Sequence, residues 1–241
     1  MPMSENLQGQ VAIVVGASSG MGQATALALV AAGVRVMVAG RRAENLKRLV
    51  EQHPGTIQCC PTDVKSRAQV DRLVATTLAA WQQIDLLVYA TGTNLPQRSL
   101  TQLSIGGWDE LLATNLTGAF HCTQAVLPAM RQRGSGLIVY LSTGAVQRAD
   151  ASGVAYQASK HGLTGLAHGT RVEEREHGIR TSVIFPGLCE TEILQKRPVP
   201  TPRDVLDQAL QPEDVAAAVL FIAQLPQRAV VPEMQLLPSR L

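Results

Sequence analysis

The chain has 241 residues and a mass of 25.7 kDa, with 46% hydrophobic and 17% charged residues, below the typical charged share of about 25%. Apolar surface on that scale offsets the entropy of ordering and excludes a disordered chain. Lys and Arg number 21 against 19 Asp and Glu, a net charge of +2 that implies no polyanionic partner. Two Trp, three Tyr and three Phe are too few for a nucleic-acid platform of stacked aromatics. The cysteines at 59, 60, 122 and 189 form no CxxC pair, so neither a zinc site nor a disulfide framework is expected. The five histidines are scattered and complete no metal-ligand set, so no metal is expected. Met1–Gln10 lacks the basic and apolar regions of a signal peptide, and no apolar run is long enough to span a bilayer. The expectation is a cytoplasmic protein that engages neither membrane nor nucleic acid.

In chain order, Val11–Val15 reads as a buried strand and Gly20–Ala32 as a helix ended by Gly33. Val34–Ala39 is a strand, followed by a helix over Ala43–Gln52. Thr56–Pro61 and Ile84–Ala90 are strands with the helix Arg67–Trp81 between them. A long helical stretch near Trp108–Gln132 leads to the strand Leu137–Leu141, and another at Gly153–His177 leads to Thr181–Phe185. A helix at Pro212–Ala223 and a weak strand near Met234–Leu237 finish the chain. Six or seven buried strands separated by helices imply a Rossmann-like, doubly wound α/β fold. The expected sheet is mainly parallel and seven-stranded, with helices on both faces. No linker or repeat divides the chain, so one domain over 1–241 is expected, with a short Pro-rich excursion at about 188–211.

Directly after the first strand comes Gly16-Ala-Ser18-Ser19-Gly20-Met21-Gly22, with a helix beginning inside it. Glycines let backbone approach a pyrophosphate closely, and free N–H groups at a helix start attract its charge. The second strand ends in Gly40-Arg41-Arg42, where an enzyme binding an unphosphorylated ribose would carry an acid. Glycine removes repulsion toward a 2′-phosphate and the guanidiniums suit its oxygens, which favours NADP(H) over NAD(H). The plainer reading is two arginines opening a solvated helix, with Glu44 as partner. Asp63, followed by Val64, is placed either to accept from an adenine amino group or to cap the next helix.

Tyr156-Gln-Ala-Ser-Lys160 falls in the first turns of a predicted helix, where positions i and i+4 share a face. A cation beside a phenol favours the phenolate and brings a proton-transfer group toward working pH.

With these motifs in this order, the chain from about Gln10 to about Leu237 resembles the short-chain dehydrogenase/reductase family. Gly16, Gly20 and Gly22 match its phosphate-binding glycines, and Tyr156 and Lys160 match its active-site pair. Asn115, in Ala-Thr-Asn-Leu-Thr-Gly, matches the asparagine with which the family holds a proton-relay water. Pro186-Gly187-Leu188 with Thr191 matches the segment that binds the nicotinamide carboxamide. The family places a hydroxyl 13 residues before the tyrosine, which is Thr143 here, while Ser142 beside it is the more usual chemistry. Both stay open. Where the family shows Asn-Asn-Ala-Gly this chain reads Tyr89-Ala90-Thr91-Gly92, still small enough for close approach to a ribose. The resemblance implies a carbonyl compound and a secondary alcohol as substrate and product, with Tyr156 as general acid and base. It also implies a homodimer or homotetramer built on the Ala-rich helices near Trp108–Gln132 and Gly153–His177. The alternatives are a nucleotide-binding regulatory protein without turnover and a non-redox, epimerase-like member. Specificity falls to the loops Thr93–Ser99, Gly144–Ser152 and Leu188–Arg203, whose Arg98, Arg148, Arg197 and Arg203 suit either an anionic substrate or solvent.

Overall fold

In the computed structural model, which describes residues 5–241, seven parallel strands form one sheet in the order β3-β2-β1-β4-β5-β6-β7. The strands are β1 (Val11–Val15), β2 (Arg35–Gly40), β3 (Ile57–Pro61), β4 (Leu86–Tyr89), β5 (Gly136–Leu141), β6 (Ile179–Pro186) and β7 (Glu233–Leu236). β1, β4 and β5 are buried along their whole length, as expected of parallel strands covered on both faces. Alternation along β1 sends Ala12 and Val14 to one face and Ile13 and Val15 to the other.

The first face is covered by α1 (Gly20–Ala31), α2 (Ala43–Gln52) and α8 (Pro212–Ala223). Leu29, Leu46, Val215 and Val219 meet the sheet there. The opposite face carries α3 (Arg67–Trp81), α5 (Gly118–Arg133) and α6 (Val154–Glu174), which contribute Leu73, Val126, Met130 and Leu163. Tyr89 and Tyr140 are fully buried on this face. Their hydroxyls are satisfied by the Thr114 carbonyl at 2.5 Å and the Thr123 hydroxyl at 2.7 Å.

Two expectations change. The stretch read as one helix near Trp108–Gln132 is α4 (Ile105–Leu112), a π turn over Ala113–Thr117, and then α5. Gly118 N–H reaches back five residues to the Ala113 carbonyl, an i→i+5 widening typical of functional positions. The excursion after β6 contains a 3₁₀ turn (Glu192–Lys196) and a short α7 (Arg203–Leu206). Its two ends are zipped by an isolated bridge between Cys189 and Leu210, with Leu210 N–H donating to the Leu188 carbonyl at 2.9 Å.

After β3 the chain crosses to the far side of β1 to form β4, and strand order reverses at that point. A crevice therefore opens at the carboxyl ends of β1 and β4, the place where doubly wound sheets receive ligands.

Candidate active site

A cleft of about 610 Å³ lies along that edge. At one end is the turn after β1. Gly16 has φ +92°, and a Cβ there would stand 2.8 Å from the Ala90 carbonyl carbon and the Thr91 nitrogen. A Cβ on Gly22 would stand 2.3 Å from the Gly16 carbonyl oxygen. Only glycine permits this turn to press against the end of β4. Ser18, Ser19, Gly20 and Met21 complete the rim, and Ala90, Thr91 and Gly92 form the floor.

Arg42 crosses the mouth of the turn. It donates to the Ser18 hydroxyl at 3.2 Å, to the Ser19 hydroxyl at 2.5 Å and to the Glu192 carboxylate at 2.6 Å. Arg42 lines the cleft, and its carboxylate partner is Glu192 rather than Glu44. Glu44 pairs with Lys47 at 2.9 Å. Arg41, Asp63 and Val64 also line the cleft. Asp63 does not cap α3: Ser66 does, accepting from Gln69 N–H at 3.4 Å. The Asp63 carboxylate instead accepts from Lys65 N–H at 3.1 Å, an Asx-type turn.

The other end of the cleft holds the YxxxK pair on α6. Tyr156 and Lys160 both line it. The Lys160 ammonium donates to the Leu141 carbonyl at 2.8 Å and would stand 3.2 Å from a Cβ on Gly92. Burial at 4% exposure pulls this ammonium down to about 8. Burial likewise pushes the Tyr156 phenol up to about 12. The hydrogen bond with the Thr143 side chain counters that rise, as do the guanidiniums of Arg197 and Arg98, while Asp150 adds to it. Of the two candidate hydroxyls, Thr143 accepts from Ala145 N–H at 3.3 Å. Ser142 lines the cleft and donates to the Lys160 carbonyl at 3.3 Å.

Asn115 sits in the π turn, fully buried. Its Oδ1 accepts from Thr93 N–H at 2.8 Å, and its Nδ2 donates to the Thr93 carbonyl at 3.1 Å and to the Ser159 hydroxyl at 3.0 Å. Ser159 in turn donates to the Tyr156 carbonyl at 2.7 Å. Both amide hydrogens are thereby occupied, so a water could be held here only by a second lone pair on Oδ1 or by the main-chain carbonyl.

Thr191 lines the cleft, whereas Pro186, Gly187 and Leu188 stand behind it. Gly187 N–H donates to the Leu236 carbonyl at 2.8 Å, and a Cβ on Gly187 would meet Pro238 at 2.7 Å. Its small size is explained by the C-terminal tail. Sequence reasoning missed Ser159, Thr93, Glu192 and Lys196, of which the last donates to the Thr93 hydroxyl at 2.6 Å. Ser159 carried a signal, a small polar residue on the same helix turn as Tyr156. The other three depend on contacts between distant segments.

Among the described residues no group of three or more His, Cys, Asp or Glu could hold a metal ion. His161 bonds its own helix at Gln157, and His168 pairs with Glu233 at 2.9 Å. The four cysteines are free, and burial pushes the Cys189 thiol up to about 12, which leaves it unreactive. Among the described residues no helix is long and apolar enough to cross a membrane.

The family described as short chain dehydrogenase matches residues 10–200. The chain belongs to the short-chain dehydrogenase/reductase family. An uncharacterized oxidoreductase of Staphylococcus haemolyticus is 31% identical over 233 residues, covering 96% of this chain and 98% of the relative. The closed form of a serine dehydrogenase complexed with NADP+ superposes with a TM-score of 0.86 at 28% identity, covering 94% of both chains. A metagenomic short-chain oxidoreductase in complex with NADP gives a TM-score of 0.83 at 30% identity, covering 98% of this chain and all of the other. This short-chain dehydrogenase is therefore an oxidoreductase by family, with solved neighbours that bind a nicotinamide cofactor.

Proposed function

We propose that this chain is an NADP(H)-dependent oxidoreductase that interconverts a carbonyl compound and a secondary alcohol. The observation that carries the reading is one cleft with a glycine cradle at one end and Ser142, Tyr156 and Lys160 at the other. The cradle fits a dinucleotide, since side chains at Gly16 and Gly22 would strike the end of β4 and the turn itself and displace the turn from the cleft's rim. The neighbours solved with NADP+ or NADP support the choice of cofactor.

When bound, the nicotinamide supplies a hydride to the carbonyl carbon or takes one from the alcohol. Gly16, Ser18, Ser19, Gly20, Met21 and Gly22 hold the pyrophosphate. Arg42, with Arg41, faces the 2′-phosphate, and Asp63 and Val64 border the adenine. Ala90, Thr91, Gly92 and Thr191 line the path to the nicotinamide. Lys160, buried beside Gly92, holds ribose hydroxyls. Tyr156 gives its proton to the substrate oxygen in reduction. The phenol is protonated at neutral pH, the form reduction requires. Ser142 or Thr143 fixes that oxygen, and Ser142 also donates to the Lys160 carbonyl. Asn115 braces Thr93 against α6 through Ser159. One domain over 1–241, with the excursion at 188–211, carries all of these groups. Exposed Phe120 on α5 and Val172 on α6 support a homodimer or homotetramer, and free thiols suit a reducing cytoplasm.

The test is a spectrophotometric screen of ketones, oxo acids and secondary alcohols with both cofactors. Net NADPH consumption with a carbonyl substrate is expected. Tight NADPH binding without turnover would favour a regulatory protein. Conversion of substrate without net NADPH consumption would favour epimerase-like chemistry.

A further inference from the structure

We propose that Lys196, at the end of the 3₁₀ turn Glu192–Lys196, binds an anionic carboxylate on the substrate. The pair interconverted at Tyr156 is then an oxo acid and a hydroxy acid. The inference rests on the carbonyl–alcohol reading above and names its substrate class.

Lys196 lines the same cleft as Ser142, Tyr156 and Lys160. None of the four arginines on the surrounding loops, Arg98, Arg148, Arg197 and Arg203, lines it. A chain of contacts fixes where the ammonium sits. Lys196 donates to the Thr93 hydroxyl at 2.6 Å, across 103 positions of sequence. Thr93 is only 6% exposed and lines the cleft as well. Asn115 holds its N–H at 2.8 Å and its carbonyl at 3.1 Å. The residue before it is Gly92, where a Cβ would stand 3.2 Å from the Lys160 ammonium nitrogen. Lys196 therefore reaches the catalytic end of the cleft and not the glycine cradle.

Charge at that end is unbalanced. The chain has four lysines. Lys47 pairs with Glu44 and Lys65 with Glu110, each at 2.9 Å. Lys160 donates to the Leu141 carbonyl. Among the described residues Lys196 forms no ion pair. The carboxylates that line the cleft are Asp63 and Glu192. Glu192 is held by Arg42 at 2.6 Å beside the cradle, and Asp63 lies after β3, accepting from Lys65 N–H. Two ammonium groups thus share the catalytic end with no lining carboxylate there.

The donors suit a single negative charge. Lys196 spends one of its three N–H groups on Thr93, and the Thr93 hydroxyl, an acceptor in that bond, keeps its own proton to donate. Two N–H groups and one O–H match the two oxygens of a carboxylate through charge-assisted bonds. A phosphate would bring a second negative charge that one ammonium leaves unmatched. Lys196 is exposed, so an arriving anion reaches it directly. In reduction the carbonyl carbon gains a hydride, with NADPH as the reductant oxidised to NADP+. The carbonyl oxygen gains the Tyr156 proton, and the carboxylate is unchanged throughout.

The experiment compares C3–C6 oxo acids with their methyl esters in the wild type, Lys196→Met and Thr93→Val, reading the ratio of kcat/KM for acid to ester. NADPH titration and thermal unfolding verify that each variant folds. The wild type is expected to prefer the acid by about 10-fold or more, and Lys196→Met to lose about 10-fold of that preference. Thr93→Val removes one neutral donor and should lose about 2- to 5-fold. A wild-type ratio near one, or an equal fall for acid and ester in Lys196→Met, overturns the proposal and leaves Lys196 as a clasp between the loop and the floor. Weaker NADPH binding in Lys196→Met with an unchanged ratio also overturns it and assigns the ammonium to the cofactor. A hydroxyketone phosphate turned over better than every oxo acid overturns the choice of carboxylate. If no carbonyl compound of any charge is turned over, the oxidoreductase reading fails instead. The anion site is then judged by thermal shift of the NADP+-loaded protein with propionate and propionamide. Stabilisation by propionate alone, lost in Lys196→Met, supports the site. Equal shifts with the two, or none, overturn it.

Discussion

Glu192 occupies the guanidinium that this account assigns to the 2′-phosphate, so the chain carries its own competing anion. The Arg42–Glu192 contact is 2.6 Å, but both side chains are about half exposed, at 47% and 53%. Ion pairs in such settings contribute about 0.2–1 kcal/mol. Glu192→Gln is therefore expected to tighten NADPH binding up to about 5-fold and to leave NADH binding unchanged. Arg42→Ala removes a charged donor from a phosphate that would otherwise receive charge-assisted bonds. Each such bond is worth about 1.5–3 kcal/mol, so NADPH binding should weaken about 10- to 150-fold. NADH should change by no more than a few-fold, because it lacks the phosphate. Fluorescence titration of both cofactors against the wild type, the single variants and the double variant separates these effects. In the double variant the Glu192→Gln gain should vanish, since the guanidinium competed for is gone. Equal changes for NADPH and NADH in Arg42→Ala would refute the reasoning, as would weaker NADPH binding in Glu192→Gln.

Asn115→Leu leaves the Thr93 backbone and the Ser159 hydroxyl without their partner. At about 1–3 kcal/mol for each unsatisfied group, and about 2–4 °C per kcal/mol in a chain of this size, calorimetry should show Tm falling by at least 4 °C. The Lys160 ammonium, held down near 8 by burial, is charged below that pH and loses its charge above it. NADPH affinity should therefore decline as pH rises through 8 in the wild type and stay flat in Lys160→Met, as read by titration at each pH. Phe120→Asp with Val172→Asp places charges on two exposed apolar positions of α5 and α6. Light scattering should then show a smaller species than the wild type, and an unchanged mass would remove this face from the assembly.

What was legible in the sequence was local or periodic. The β-branched runs gave six of the seven strands their places, because parallel strands buried on both faces need continuous apolar character. The Gly16–Gly22 turn was visible because a backbone approach of 2.8 Å tolerates no other residue. Helical periodicity could not reveal the π turn, since Ala113–Thr117 keeps an apolar–polar pattern compatible with an uninterrupted helix. The cap of α3 moved from Asp63 to Ser66 because both residues have capping chemistry and only the backbone path chooses between them. The Arg42–Glu192 pair spans 150 positions, a separation that no local pattern reports. Spacing points to Thr143 and the more usual chemistry to Ser142, and a choice between adjacent hydroxyls is one that sequence spacing does not make.

The central claim is that the Tyr156 hydroxyl is the proton donor and acceptor at the end of a dinucleotide cleft. Tyr156→Phe removes that hydroxyl and keeps the ring, so it tests the claim with least disturbance to packing. Steady-state turnover with the preferred carbonyl substrate should be measured beside NADPH affinity. The account predicts unchanged NADPH binding with kcat lower by about 10²- to 10⁴-fold, the usual worth of general acid catalysis. A variant that binds NADPH and keeps more than about a tenth of wild-type kcat would contradict it.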